Sequence, residues 1–197
     1  MKVNILGLGE TLRFYKRNKN EITIGVNEVG SITPCDYVCV INNRVEFTPP
    51  RYRKLLQPLN QPKLVTHKQS ILNDLAGYYD VTNAIYQIEN LINSKGNIKQ
   101  NDGIRGDKFF HSQTSPFVAA VFAVRELNPS VLSFWGVDFQ THKAIAKNAN
   151  SRFNREMVAW EWLIKECIKL GIEIEVSDYS QIAKIIDRLN ITSHEDI

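Results

Sequence analysis

Short apolar, β-branched runs open the chain, and polar or glycine-bearing stretches punctuate them. Val3, Ile5 and Leu6 make the first run, "EITIGVN" around Ile22 to Val26 the second, and "YVCVIN" around Tyr37 to Ile41 the third. Runs this short, bounded by turn residues, read as strands of a parallel sheet joined by crossovers. "TLRFYKRN" between the first two is helix-compatible, and "KLVTH" at Lys63 to His67 is a further strand candidate. Ile85, Ile88, Leu91 and Ile92 recur at helical spacing and predict a helix over 83–93. The polar stretch from Asn93 to Lys108 carries glycines and predicts a mobile loop, either a lid or a surface insertion. The whole of 44–108 reads as a variable, mobile segment.

Beyond that segment the pattern sharpens. In "TSPFVAAVFAV" a hydroxyl residue precedes Pro116, which opens a helix with Phe117, Ala120, Val121 and Val124 on one face. "SVLSFW" is a buried strand ending in "GVDF", Gly136 to Phe139. After a polar loop, Met157, Trp160, Leu163, Ile164 and Cys167 mark a strong helix closed by Gly171. "IEIEV" and "SQIAKIIDRL" add a strand and a helix. This alternation predicts an α/β fold: one domain with a Rossmann-like, mainly parallel sheet flanked by helices.

A sheet of that kind holds its ligand at the carboxyl ends of its strands, near the point where strand order reverses. The rule selects Gly7, Gly9, Glu10 and Thr11 after the first strand, Asn27 after the second and Asn42 after the third. It also selects Gly136 and Asp138 after "SVLSFW", and His142 on the loop beyond. Thr114 and Ser115 stand at a helix start, where hydroxyls and free N–H groups hold an anion or a ribose. Gly7 and Gly9 suit a tight turn whose backbone comes close to a phosphate or nucleotide, or one that needs glycine for purely conformational reasons. Singly, each polar residue is also an ordinary turn former or cap; together they fall on one predicted edge.

Composition narrows the classes. With 197 residues, 43% hydrophobic and 23% charged, the chain is that of an ordinary globular domain. The net charge of +3 admits an anionic ligand. Because Lys and Arg are dispersed, it gives no sign of specific nucleic-acid binding, and "RYRK" at Arg51 to Lys54 reads as a solvated loop or helix start. No apolar run is long enough to span a bilayer. Cys35, Cys39 and Cys167 form neither an even disulfide framework nor a CxxC pair, so the expectation is free thiols in a reducing, cytoplasmic setting without a signal peptide.

The order "ILGLGETL", "IGVN", "VCVIN", "TSPFVAAVFAV", "FWGVDF" and "IEIEVSDYSQI" resembles the small bacterial sialyltransferases that use CMP-sialic acid. It is similar also to a related group that includes flagellin-modifying glycosyltransferases and an archaeal pterin pyrophosphokinase. The resemblance excludes roughly Arg44 to Lys108. It implies that Gly7, Gly9, Glu10, Thr11, Asn27, Asn42, Thr114, Ser115 and Gly136 bind a nucleotide-sugar, with Asp138 and His142 as candidate catalytic groups. It further implies inverting sugar transfer without a metal, or magnesium if the pyrophosphokinase likeness holds, with Glu10, Glu28 and Asp138 as its acids.

Three departures stand against activity. Leu8 replaces the family's Asn between the glycines, Gln140 its Tyr after the G-V-D-F segment, and Asn150 the His that serves as general base. An amide accepts no proton near neutral pH, a loss of about 10² to 10⁴ in rate. The alternative expectation is therefore a catalytically degenerate member of the fold, a structural or interaction component of a homo-oligomer or larger assembly such as a viral or surface structure.

Overall fold

The computed structural model describes residues 1–82, 88–139 and 149–195, with side chains described as far as 139 and from 155 to 189. Its strands are β1 (Lys2–Leu6), β2 (Ile22–Val26), β3 (Tyr37–Cys39), β4 (Lys63–Val65), β5 (Ile88–Asn90), β6 (Phe109–His111), β7 (Val131–Trp135) and β8 (Glu173–Val176). Its helices are α1 (Pro49–Leu55), α2 (Gln69–Leu75), α3 (Ser115–Phe122), α4 (Ala149–Lys169) and α5 (Gln181–Glu195). Six strands form one sheet in the order β4-β3-β2-β1-β7-β8, parallel throughout, while β5 and β6 pair as a second, two-stranded parallel sheet. The α/β fold with helices on a parallel sheet is thus the architecture of the chain.

β1 is the central strand because both of its faces find apolar cover. Val3, Ile5 and Leu6 are fully buried, and Ile5 stands in register with Ile24 on one side and Phe134 on the other. α3 is buried at every position from Phe117 to Phe122 and packs on β1, β2, β3 and β6. It therefore carries few polar residues, as a helix covered all round must. On α4, Trp160 is fully buried against Phe117, Phe134 and Phe139, at centroid separations of 5.8, 5.3 and 5.7 Å. One indole thus ties α3, β7 and the turn after β7 into one core.

Several local expectations change. Residues 88–90 are strand β5 rather than helix; parallel pairing with Phe109–His111 and burial of Leu91 override the helical spacing, and 83–87 lie outside the described residues. "TLRFYKRN" forms only a 3₁₀ turn over Glu10–Phe14. Thr11 is drawn to Asp138 and the Tyr15 hydroxyl bonds Thr23 Oγ1 at 2.8 Å, so the chain turns down onto β2 before a second helical turn forms. The stretch 93–108 is fastened at one end: Arg125 donates to the carbonyls of Ile104, Gly106 and Lys108 at 3.0, 2.7 and 2.7 Å, and Ile104 N–H donates to Glu166 at 3.0 Å. All three cysteines are buried free thiols, and desolvation pushes those of Cys35 and Cys167 up to about 12. Among the described residues no helix is long and apolar enough to cross a membrane.

Candidate functional site

From β1 the chain runs outward through β2, β3 and β4 on one side and later through β7 and β8 on the other. Strand order therefore reverses between β1 and β7, and the turns leaving these two strands face each other. They are fused closely. Gly7 N–H donates to Trp135 O and Gly9 N–H to Gly136 O, each at 2.7 Å. A Cβ on Gly7 would lie 2.2 Å from Gly136 O, and one on Gly136, whose φ is +65°, would lie 2.5 Å from Gly7 O. The close approach that both glycines permit is thus that of the two turns to one another.

Asp138 completes this junction. Its buried carboxylate accepts the Thr11 N–H at 2.9 Å and the Thr11 hydroxyl, whose oxygen in turn accepts Gly136 N–H at 2.7 Å. The N–H groups of Gly7, Gly9 and Thr11, placed at the sheet edge by the sequence, therefore donate within the protein. Asp138 acts as a clasp on the Gly9–Thr11 turn. The next residue, Phe139, has φ +56°, a left-handed conformation costly for a large side chain, and its ring is held against Trp160.

One step along the same edge, three side chains from separate elements meet. Ser115 Oγ, at the start of α3, lies 3.1 Å from Asn42 Oδ1 and 3.5 Å from Asn27 Oδ1. Asn27 follows β2 directly with φ +52°, a left-handed position that Asn tolerates better than most residues. Asn42 follows β3 and is oriented from behind, its amide donating to Glu46 at 2.8 Å. Burial alone would raise the Glu46 carboxyl, but the Asn43 N–H and the amides of Asn42 and Asn43 outweigh it and hold the acid below its ordinary range. One hydroxyl proton serves a single acceptor at full strength, so this cluster keeps polar capacity for a ligand.

The Thr114 hydroxyl donates to Glu156, which is 2% exposed and also accepts Ser112 Oγ at 2.8 Å, Gln113 N–H at 3.1 Å and Trp160 Nε1 at 3.0 Å. Desolvation dominates there and raises the Glu156 carboxyl, the four donors countering it in part. Glu10 is exposed on the rim, and Glu28 is ion-paired with Arg51. His142 lies outside the described residues.

Two histidines not selected from the sequence stand at the ends of β4 and β6. The rings of His67 and His111 stack at 6.5 Å and 20°, and the Cys39–Val65 register places His67 beside the chain leading into Asn42. His111 Nδ1 lies 2.7 Å from Ser112 O; a carbonyl only accepts, so the proton is on Nδ1 and Nε2 carries the lone pair. Burial, with Lys68 and His111 close by, lowers His67 to about 4, and burial also lowers His111. Both rings are therefore neutral at pH 7. The signal was present in "KLVTH" and "FFH", each a short apolar run with His at its carboxyl end.

As a whole the edge offers amide and hydroxyl groups at Asn27, Asn42 and Ser115, a cation at Lys68 and two uncharged imidazoles. Such a set has the donors, the cation and the lone pairs that complement a polar, anionic group. Among the described residues no group of three or more His, Cys, Asp or Glu side chains is placed to hold a metal ion. Comparison of the chain with protein-family models, with curated proteins and with solved structures finds no match.

Proposed function

We propose that this chain binds a nucleotide-sugar of the CMP-sialic acid type at the carboxyl ends of its parallel strands and acts as an inverting glycosyltransferase. The observation that carries the reading is the meeting of Asn27, Asn42 and Ser115, residues 88 and 73 positions apart in sequence, beside the reversal of strand order. The resemblance of the motifs around these residues to the small sialyltransferases supplies the ligand class. In such a transfer the acceptor oxygen attacks the anomeric carbon and the bond to the nucleotide phosphate breaks, its electron pair leaving on the phosphate. The acceptor proton passes to a base. Asn27, Asn42 and Ser115 orient the donor, Lys68 supplies charge for the phosphate, and His67 or His111 Nε2 takes the proton; Asp138 holds the turn beside them. The step requires no metal.

The pterin pyrophosphokinase reading fits the residues less well, since Glu28 is bound to Arg51 and Asp138 to Thr11. A thermal-shift panel of CMP, UDP, GDP, ATP and their sugar conjugates, with and without magnesium, separates the readings. CMP or its sialic acid conjugate is expected to raise the melting temperature independently of magnesium, by the equivalent of about 2.7 kcal/mol at 100 times Kd. Asn27→Ala and Asn42→Ala are expected to lose that response while melting near the parent. Undiminished responses in both variants refute the site, a magnesium-dependent ATP response points to the kinase, and silence with self-association points to a scaffold.

A further inference from the structure

A concavity lies at the carboxyl ends of the small β5–β6 sheet, lined in part by Ser112 and Gln113. It encloses about 270 Å³ and is lined by Asn90, Asn93, Gln113, Arg155 and Glu156, with Ile92 its one apolar side chain among the described residues. Its floor is fixed, because buried Glu156 gathers Ser112, Gln113 and Thr114 from below. The chain that forms its far wall is equally set: Asn90 Oδ1 accepts Ile92 N–H at 3.1 Å, and Asn93 Oδ1 accepts the N–H groups of Lys95 and Asn97 at 2.9 and 3.1 Å.

These bonds engage the oxygens of both asparagines, Asn93's with both lone pairs, and leave their NH₂ groups as donors of the wall. Arg155 adds more donors. Its Nη2 binds Ser94 O at 2.9 Å, and among the described residues no carboxylate pairs with it. Since a guanidinium has five N–H groups, most of them remain for a ligand. The acid nearest it in sequence, Glu156, is already filled by its own four donors. The concavity therefore presents the Arg155 guanidinium and amide N–H donors, set beside the donor-sealed carboxyl of Glu156, around a space of about nine water volumes at ~30 Å³ each. Most small-molecule pockets are lined by apolar groups; this one is matched instead to a ligand rich in acceptors.

We propose that this cleft binds a monosaccharide-sized, carboxylate-bearing polyol, a sugar acid, with its carboxylate on Arg155 and its hydroxyls on the amides of Asn90, Asn93 and Gln113. The assignment rests on the cleft alone and stands whether or not the neighbouring edge binds a nucleotide.

The test is saturation-transfer and amide-shift NMR on the full chain, titrated with glucuronate and galacturonate and with the neutral sugars glucose and galactose. At least one acid is expected to bind and to move the side-chain NH₂ signals of Asn90, Asn93 and Gln113, with the neutral sugars weaker by about tenfold or more, the loss expected of one charge-assisted pair. Arg155→Gln is expected to abolish the preference for the acid, and Arg155→Lys to retain part of it. Neither substitution should change the nucleotide response of the Asn27–Asn42 edge. The proposal is overturned if neither acid binds, if acid and neutral sugar bind alike, or if Arg155→Gln binds like the parent. Should that variant fail to fold, the wild-type titration decides: amide signals that stay still while an acid binds elsewhere overturn it equally.

Discussion

Asp138→Ala removes the acceptor of both the Thr11 N–H and the Thr11 hydroxyl at a buried junction. The hydroxyl can turn to another acceptor, but the N–H is left buried and unpaired. A hydrogen bond to a charged group contributes about 1.5–3 kcal/mol, and an orphaned buried donor costs about 1–3 kcal/mol, so the loss is about 3–5 kcal/mol. In a domain of this size each kcal/mol lowers the melting temperature by about 2–4 °C, which puts the variant about 10 °C below the parent. Asp138→Asn keeps the shape and one acceptor oxygen, and should lose only about 1–2 kcal/mol. Calorimetry on the two variants reads the difference directly. An Ala variant that melts with the parent, or an Asn variant that falls as far as Ala, refutes the clasp. If Asp138 were instead the proton acceptor of a transfer, Asp138→Asn would leave melting unchanged and abolish turnover.

Gly7→Ala forces a methyl to within 2.2 Å of Gly136 O, where backbone must move; a loss of about 3 kcal/mol or more in urea unfolding is expected, with no rescue by Gly136→Ala. His67, lowered from 6.5 to about 4, binds fewer protons folded than unfolded, so its contribution is full above about 6.5 and is lost as pH falls toward 4. Allowing for solvent screening of a partly exposed ring, that is about 1–2 kcal/mol, and His67→Gln should remove this slope from the stability–pH profile. Arg125→Ala frees three carbonyls of the 104–108 stretch, and amide hydrogen exchange should quicken there by about tenfold or more while β1 and β7 stay protected.

The parallel sheet was legible because its strands are short apolar runs, each followed by a turn residue, and because α3 is too apolar for any place but the core. Asn27 and Asn42 were legible for the same reason, since the carboxyl-end rule needs only strand ends, and Ser115 because Pro116 marks a helix start. What the glycines approach was not. "GLGET" is compatible with a phosphate or with a neighbouring turn, and the choice depends on Gly136 and Asp138 arriving from more than a hundred residues away. β5 was misread because Ile88, Leu91 and Ile92 satisfy a helical spacing and a short strand alike, and only its pairing with β6 decides between them. The donor-lined cleft was invisible, as its walls come from β5, β6 and α4, and no local pattern links Asn93 to Arg155.

The central strand imposes an order on biosynthesis. Met1 bonds to Ser130, a partner 129 positions later, and every residue of β1 waits for β7 before its second edge is covered. While the ribosome is still making the middle of the protein, an apolar ribbon therefore stands with an open flank, the arrangement that invites intermolecular pairing. Nascent chains halted short of residue 131 are the species that a holdase should recognise.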